Sequence, residues 1–250
     1  MEHNQAAEHG HSPLAQFAIK PIFKFDFLGY DISFTNSSLA MVIVTLSIIC
    51  LFSTVKRSYE GVPSNLHIFC EEIYLFISRM LDENLGREGR SFVPFVFTLF
   101  LFVLFSNLLG MIPYGYTVTS QFAVTLCLAT VIFMIIIITG FVKQGTHFLK
   151  LFAPDGVPLL LTPFIVVIEL FAFLARPISL SLRLAANMTA GHVLLKVLAG
   201  FMVSLPIFMK ILPLPMIVVF IAFEVFVAIL QAYIFAILTC VYLNDAVNGH

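Results

Sequence analysis

The sequence has no tryptophan and very little charge. Of its 250 residues, 11% are Asp, Glu, Lys or Arg, and 60% are hydrophobic. A soluble globular domain is about half apolar and about a quarter charged, so this composition excludes an ordinary soluble fold. The net charge of −1 gives no electrostatic basis for binding nucleic acid. The composition is typical of a polytopic helical membrane protein, in which 28 phenylalanines and 7 tyrosines take over the packing role of tryptophan.

Cysteine is scarce as well, and no metal or cofactor is expected. The four cysteines are scattered without Cys-x-x-Cys spacing, so we interpret them as unpaired residues: Cys50, Cys70, Cys127 and Cys240. The first 17 residues lack the basic region and apolar core of a cleavable signal peptide. They contain three histidines, which we interpret as part of a solvated tail: His3, His9 and His11.

Five apolar runs are long enough to cross a bilayer, which takes about 20 helical residues. We predict a non-spanning arm over residues 1–33 and a membrane domain over residues 34–250. The predicted spans are 34–55, 92–112, 121–142, 157–205 and 207–245. Between the first two spans, apolar residues recur at helical spacing over 66–81, which predicts an amphipathic helix on the membrane surface or against other helices. A charged loop is expected at 82–90.

The fourth run is longer than a simple span requires. As one helix, residues 157–205 would extend about 73 Å at ~1.5 Å per residue, whereas the hydrocarbon layer is ~30 Å thick. Either the helix breaks near Pro177 or it crosses at a steep tilt. The residues themselves leave both possibilities open.

Basic residues predict the orientation of the spans. With the N-terminus outside, seven basic residues fall on the cytoplasmic side: Lys56, Arg57, Arg79, Arg87, Arg90, Lys143 and Lys150. The opposite side keeps mainly Lys20, Lys24 and Lys210. This asymmetry follows the positive-inside rule and predicts a cytoplasmic C-terminus.

Arg183 stands inside a stretch that otherwise looks buried in lipid, Pro177–His192. A cation at that depth costs at least ~3 kcal/mol on insertion scales, and such residues often mark an ion path. A structural arginine paired with a carboxylate of a neighbouring helix is the alternative. Glu169 and Arg176 precede Arg183 at intervals of seven and share its broad helical face, because each interval drifts by only ~20°.

Folding the last two runs as an antiparallel pair brings polar residues to equal depths. The expected pairs are His192 with Glu224, Arg183 with Gln231, and Glu169 with Asp245. Histidine and carboxylates exchange protons at ordinary pH and arginine does not, so the pattern fits two proton-accessible sites separated by a fixed charge. Structural interpretations stay open: a packed His192, a Glu224 that only neutralises a cation, an Asp245 in a solvated terminus, and an Arg176 that anchors a helix or a lipid headgroup.

The run LRLAANMTAGH (Leu182–His192), preceded by ARPISLS and followed far downstream by Gln231, resembles subunit a of F-type ATP synthases. The stretches SPLAQF (Ser12–Phe17) and SNLLGMIPY (Ser106–Tyr114) are similar to the same family, in its mitochondrial and alphaproteobacterial-like form. The resemblance covers essentially the whole chain.

This resemblance implies an all-α fold whose last two helices form a long, tilted hairpin against the ring of c subunits. It implies two offset half-channels that carry protons to the ring, with Arg183 as the essential arginine and Gln231 as its glutamine. His192, Glu224 and Asn187 match the outer half-channel, Glu169 matches the inner one, and Asp245 is a weaker match.

The resemblance also implies a non-catalytic subunit whose partners are the c-ring, the b-type peripheral stalk, the other ATP synthase subunits and the lipid bilayer. Its location would be an energy-transducing membrane, the bacterial inner membrane rather than the mitochondrial one. Two other hypotheses remain: a stand-alone proton-coupled secondary transporter and a structural membrane scaffold. Proton and sodium coupling are both open, because the ion-binding carboxylate would lie on the ring.

Overall fold

The computed structural model describes residues 21–23, 26–27, 30–31, 33–57, 64–112, 117–145, 148, 161–204, 206 and 213–248. Several predicted features lie outside this part of the chain. They are the histidines of the N-terminal tail and the basic residues Lys20, Lys24, Lys150 and Lys210.

The described part of the arm forms two short antiparallel ladders. Strand β1 (Pro21–Phe23) pairs with β4 (Phe34–Thr35), and β2 (Asp26–Phe27) pairs with β3 (Tyr30–Asp31). The sequence analysis predicted only that this region does not span. Whether the chain divides into domains at residue 33 stays a prediction.

Six α-helices make up the rest of the described fold. The first four are α1 (Asn36–Arg57), α2 (Asn65–Leu85), α3 (Val93–Gly110) and α4 (Phe122–Gln144). The last two are α5 (Thr162–Ser204) and α6 (Pro213–Asn248). Five helical segments are long and apolar enough to cross a membrane: Asn36–Val55, Asn65–Gly110, Phe122–Gln144, Thr162–Ser204 and Pro213–Asn248. The predicted class, an all-α polytopic membrane protein, is therefore confirmed.

Helix α2 shows how local sequence determines where a helix begins and ends. The Ser64 side chain accepts a hydrogen bond of 3.3 Å from the backbone N–H of His67, which satisfies one of the free donors at the helix start. Gly86 ends the helix with φ of 64° and donates its N–H to the carbonyl of Asp82. The loop expected at 82–90 was wrong in part, because α2 continues to Leu85 and a 3-10 helix follows over Gly86–Phe92.

Helix α5 settles the question of Pro177, which lies inside one uninterrupted helix of 43 residues. Proline removes one N–H from the helix ladder, and lipid offers no water to replace that bond. The Ser181 hydroxyl donates to the Ile178 carbonyl at 2.9 Å, just after the proline. This bond goes to Ile178, whereas the carbonyl that a helical N–H at position 177 would bond to is that of Phe173. At ~1.5 Å per residue the helix is about 64 Å long, about twice the ~30 Å hydrocarbon layer.

The chain separates into two compact units. The first comprises Met1–Ile49, Phe102–Gln121 and Leu184–Gln231, and the second comprises Cys50–Leu101, Phe122–Arg183 and Ala232–His250. Within the first unit, α5 and α6 run antiparallel, as the contacts described below show. Within the second unit, aromatic pairs join neighbouring helices, including Phe52 with Phe97 and Phe133 with Phe173.

Each of the last two helices buries one stripe of residues and exposes another. On α6 the buried stripe includes small residues spaced four apart, which allow close packing: Ala228, Ala232, Ala236 and Cys240. On α5 Leu184 and Met188 are fully buried. The other face of both helices is exposed and almost wholly apolar, for example Leu182 and Phe226.

Candidate functional site

The first polar cluster is built around His192 and Glu224. His192 is on α5 and Glu224 is on α6, and the imidazole Nδ1 lies 3.7 Å from the Glu224 Oε1. Their side chains are only 12% and 6% exposed. Neither carboxylate oxygen of Glu224 has a hydrogen bond within the described part of the chain. A buried carboxyl group beside a histidine can take up and release a proton, and the contact agrees with the register expected for an antiparallel pair.

Gly191 makes room for this carboxyl group. A Cβ atom at position 191 would lie 2.7 Å from the Oε1 of Glu224 and 3.1 Å from its Cδ. Because real Cβ atoms do not approach other atoms so closely, any side chain at this position would displace Glu224. The glycine therefore leaves room for the Glu224 carboxyl group beside His192.

The other ring nitrogen of His192 is held from a third element. Its Nε2 lies 2.8 Å from the Oγ1 of Thr117, which comes immediately before a short 3-10 helix, Val118–Ser120. The same hydroxyl donates to the carbonyl of Gly110 at 3.2 Å. Gly110 is the last residue of α3, where helix carbonyls have no partner within the helix. Thr117 therefore links the end of α3 to the imidazole.

Further polar residues continue this cluster. The Asn107 amide donates to the Ala228 carbonyl at 3.3 Å, and the Asn107 carbonyl oxygen accepts from the Thr119 hydroxyl at 2.8 Å. The Thr189 hydroxyl reaches the Ser120 carbonyl at 3.5 Å. All of these contacts lie within the first unit, so α3, the 117–121 segment, α5 and α6 surround one polar interior there.

Asn187 and Gln231 form a second contact between α5 and α6. The Asn187 amide nitrogen donates to the Gln231 side-chain oxygen at 3.2 Å. Gln231 is 1% exposed, and its amide nitrogen has no hydrogen bond among the described residues. Gln231, expected at the depth of Arg183, therefore bonds to Asn187, one turn beyond that arginine.

Arg183 lies at the surface of α5, close enough to Tyr242 of the same unit for an electrostatic interaction. It is exposed, whereas Leu184 immediately after it is fully buried. Among the described residues of the second unit, no side chain forms a hydrogen bond or an ion pair with Arg183. The described residues of the second unit therefore give no support to the alternative, in which the arginine pairs with a carboxylate of its own subunit.

A second polar cluster, in the second unit, is built around Arg176. Its guanidinium lies 3.8 Å from a Glu169 carboxylate oxygen and 3.5 Å from one of Asp245. It also stacks over the ring of Tyr242, at 4.7 Å, and near that of Phe173, at 5.5 Å. Asp245 therefore does not belong to a solvated terminus, since its side chain is only 17% exposed.

Sequence reasoning missed several of these residues. Nothing in the sequence connected Thr117 to His192, because the two are 75 positions apart. Asn107 could have been recognised as a candidate from the sequence, because Ser106 and Asn107 are polar residues inside an apolar span. Glu169 and Asp245, expected as a pair, are joined through Arg176. The described residues contain no group of three or more histidine, cysteine or acidic side chains that could hold a metal ion.

Ionisable residues inside membrane-spanning helices, gathered into two buried clusters, define a class of protein: a polytopic helical subunit that conducts ions. The ATP synthase A chain family model matches residues 38–244, most of the sequence. The chain belongs to this family, the proton-translocating stator subunit of F-type ATP synthases. The resemblance seen in the motifs is confirmed, and the chain is a component of the ATP synthase complex in an energy-transducing membrane.

Proposed function

We propose that this subunit delivers protons to a rotating ring of c subunits through two offset half-channels, and that Arg183 prevents direct passage from one half-channel to the other. The observation that supports this most is the exposure of Arg183 without an ion partner in its own unit. A cation on an apolar, membrane-spanning face needs a counter-charge. In the complex, a carboxylate on the ring supplies it.

The carboxylate of the ring explains why the charge must be fixed. A protonated carboxyl group is neutral and can face lipid, whereas an ionised one costs several kcal/mol to desolvate unless it is paired. Arg183 offers that pairing only where the ring meets the exposed faces of α5 and α6. A ring carboxyl group that reaches Arg183 therefore releases its proton, and it must be reprotonated before it re-enters lipid. The guanidinium itself keeps its protons and cannot relay them.

The first cluster is the candidate outer half-channel. His192 and Glu224 are both titratable, adjacent and buried, which suits proton exchange. Asn187 and Gln231 lie five and seven residues from His192 and Glu224 along their helices, toward the depth expected for Arg183, where they can orient groups near the ring. The membrane potential contributes ~2.3 kcal/mol per charge per 100 mV to movement along such a path.

The second cluster is the candidate entrance of the inner half-channel. Glu169 and Asp245 both lie beside Arg176, whose single positive charge offsets part of theirs within the subunit. We assign Glu169 to the proton path and Arg176 to holding the two carboxylates in place. The positive-inside pattern of the sequence supports a cytoplasmic position for this cluster, with the N-terminus on the opposite side.

The subunit performs no covalent chemistry in this proposal, and ATP is formed by other subunits. Its partners are the c-ring and the peripheral stalk, and its membrane is the bacterial inner membrane. No observation favours the alternative of a stand-alone transporter. Coupling to protons, rather than sodium, is supported by the adjacent histidine and carboxyl group of the first cluster.

The Arg183→Ala variant tests the proposal in the complete complex in liposomes. We expect loss of ATP synthesis driven by a proton gradient, with a passive proton leak in its place. An ion pair that loses one partner costs about 3–5 kcal/mol, so synthesis should fall by at least ~100-fold. Arg87→Ala removes an arginine from the 3-10 helix instead and should leave synthesis unchanged. Coupled synthesis at the normal rate in Arg183→Ala would refute the role of Arg183.

A further inference from the structure

We propose that Thr117 fixes the tautomer of His192, so that Nδ1, the ring nitrogen facing Glu224, is the atom that exchanges protons. Thr117 is a positioning residue in this proposal, because it acts through His192. The inference rests on the proposed function, in which His192 and Glu224 form the outer half-channel.

The Thr117 hydroxyl has a single proton to donate. The hydroxyl contacts two groups, the carbonyl oxygen of Gly110 at 3.2 Å and the Nε2 of His192 at 2.8 Å. A carbonyl oxygen can only accept a hydrogen bond, so that contact uses the hydroxyl proton. The hydroxyl must then accept from His192, which requires the ring to carry its proton on Nε2. No other assignment forms both hydrogen bonds.

The surrounding backbone holds the hydroxyl in this arrangement. Gly110 ends α3, and its carbonyl oxygen gains from Thr117 a partner that the helix does not provide. The approach is close, because a Cβ atom at position 110 would lie 2.5 Å from the Cγ2 of Thr117. Leaving a buried carbonyl without a partner costs free energy, so the hydroxyl has a reason to keep its proton on Gly110.

With the proton on Nε2, the neutral ring presents a lone pair at Nδ1, which lies 3.7 Å from the Oε1 of Glu224. Proton transfer requires about 2.6–3.2 Å between heavy atoms, or one bridging water. A shift of about half an ångström therefore lets Nδ1 accept the carboxyl proton of Glu224. The products are an imidazolium and a carboxylate, and the reverse transfer restores the starting pair.

The other tautomer would block this exchange. With the proton on Nδ1, the free lone pair would be on Nε2, which faces Thr117 and has no acidic partner there. Among the described residues, the charged or titratable groups recorded beside the ring are Glu224 on α6 and Lys196, one turn further along α5. A lysine has no lone pair to offer while it is protonated, so Glu224 is the exchange partner.

The first test reads the tautomer directly in the complete complex. Complexes labelled with ¹⁵N-histidine are examined by solid-state NMR at a pH of about 8.5, above the ordinary pKa of histidine near 6.5. The signal of His192 is assigned by its loss in the His192→Gln complex. We expect the wild-type ring to be protonated on Nε2. A wild-type ring protonated on Nδ1 overturns the proposal without any variant of Thr117.

Two variants then separate the hydroxyl from the bulk of the side chain. Thr117→Val keeps the shape and removes the hydroxyl, and we expect His192 to become a mixture of tautomers and proton-driven ATP synthesis to fall by about tenfold or more, as for other partners that orient histidines. Thr117→Ser keeps the hydroxyl and should restore both readouts. Thr239→Val is the matched control, because Thr239 is equally buried and bonds only to the Phe235 carbonyl of its own helix.

The outcomes distinguish this inference from the function on which it rests. If His192→Gln lowers synthesis and Thr117→Val changes neither the tautomer nor the rate, the role of Thr117 is wrong and the half-channel stands. If the tautomer shifts and the rate does not, the role of Thr117 in translocation is likewise wrong. If His192→Gln itself leaves synthesis unchanged, the half-channel is wrong, while the NMR spectra still decide which nitrogen Thr117 holds.

Discussion

At the scale of single residues, both clusters place carboxyl groups beside a nitrogen-containing side chain, a histidine in the first and an arginine in the second. His192 and Glu224 face each other without a permanent charge nearby on α6, so either can be neutral or charged. Glu169 and Asp245 share one arginine. The first arrangement pairs two titratable side chains, and the second places two carboxyl groups around a cation that keeps its protons. Arg183 differs from Arg176 in having no ion pair among the described residues of its own unit.

Gly191 provides a residue-scale prediction. Gly191→Ala places a Cβ atom 2.7 Å from the Oε1 of Glu224, so the carboxyl group must move away from His192. We expect proton uptake by the complex in liposomes to slow by about tenfold, because a displacement of about 1 Å at a reacting group is costly. Gly200→Ala is the matched control, since no atom lies within 4 Å of a Cβ there. Both substitutions replace a helical glycine by alanine, so each raises helix propensity by about 1 kcal/mol. Equal uptake rates in the two variants would argue against the contact.

At the scale of helices, Arg176 connects α5 to the end of α6. Arg176→Gln removes the counter-charge from both Glu169 and Asp245, which lie 3.8 and 3.5 Å away. We expect a loss of about 1–2 kcal/mol in stability, measured as a lower unfolding temperature in detergent, because the pairs are largely but not fully buried. Adding Asp245→Asn should recover part of the loss, because it removes one of the two uncompensated carboxylates.

Arg90→Gln serves as the control for this experiment. Arg90 pairs with Asp82 at 3.4 Å, but both side chains are well exposed, so its loss should change stability by less than about 0.5 kcal/mol. A similar effect of the two arginine substitutions would contradict the assigned importance of burial. Additive effects of Arg176→Gln and Asp245→Asn would contradict the ion pair itself.

Sequence patterns predicted the helices better than they predicted the contacts between them. Apolar runs and helical spacing predict the existence of spans, because lipid forces the backbone to satisfy its own hydrogen bonds. Whether the helix breaks at Pro177 could not be predicted in this way, because a proline is compatible with either a kink or a continuous membrane helix. The contact between Thr117 and His192 depends on the position of a loop residue in the folded chain, and sequence periodicity does not predict that position. The contact between His192 and Glu224 could be predicted, because two antiparallel helices place residues of equal depth side by side.

At the scale of the whole molecule, the helices that carry the candidate site are poorly covered by the rest of the chain, although Asn36–Val55 is covered even less. Their most apolar stretches are only 17% and 11% buried for α5 and α6, against 44% for Asn65–Gly110. A lipid-facing surface would account for the apolar residues but not for Arg183, which a bilayer penalises by about 3 kcal/mol or more. The exposed faces of α5 and α6 are therefore better explained as a surface for a partner that carries negative charge.

This surface predicts which positions of α6 contact the ring. Phe226 and Ile229 are 57% and 46% exposed, whereas Ala228 between them is fully buried. In a complex whose exposed native cysteines Cys50 and Cys127 are replaced by serine, we expect cysteine at 226 or 229 to form disulfide cross-links to c subunits carrying a cysteine at matching depth. Cysteine at 228 should form none, because its sulfur would point into the subunit against α3. Turning the ring with ATP before oxidation should distribute the cross-link over different c subunits, as expected for a stator facing a rotor. Cross-linking from 228 as efficient as from 229, or none from either exposed position, would show that the ring contacts a different face and that the counter-charge of Arg183 lies elsewhere.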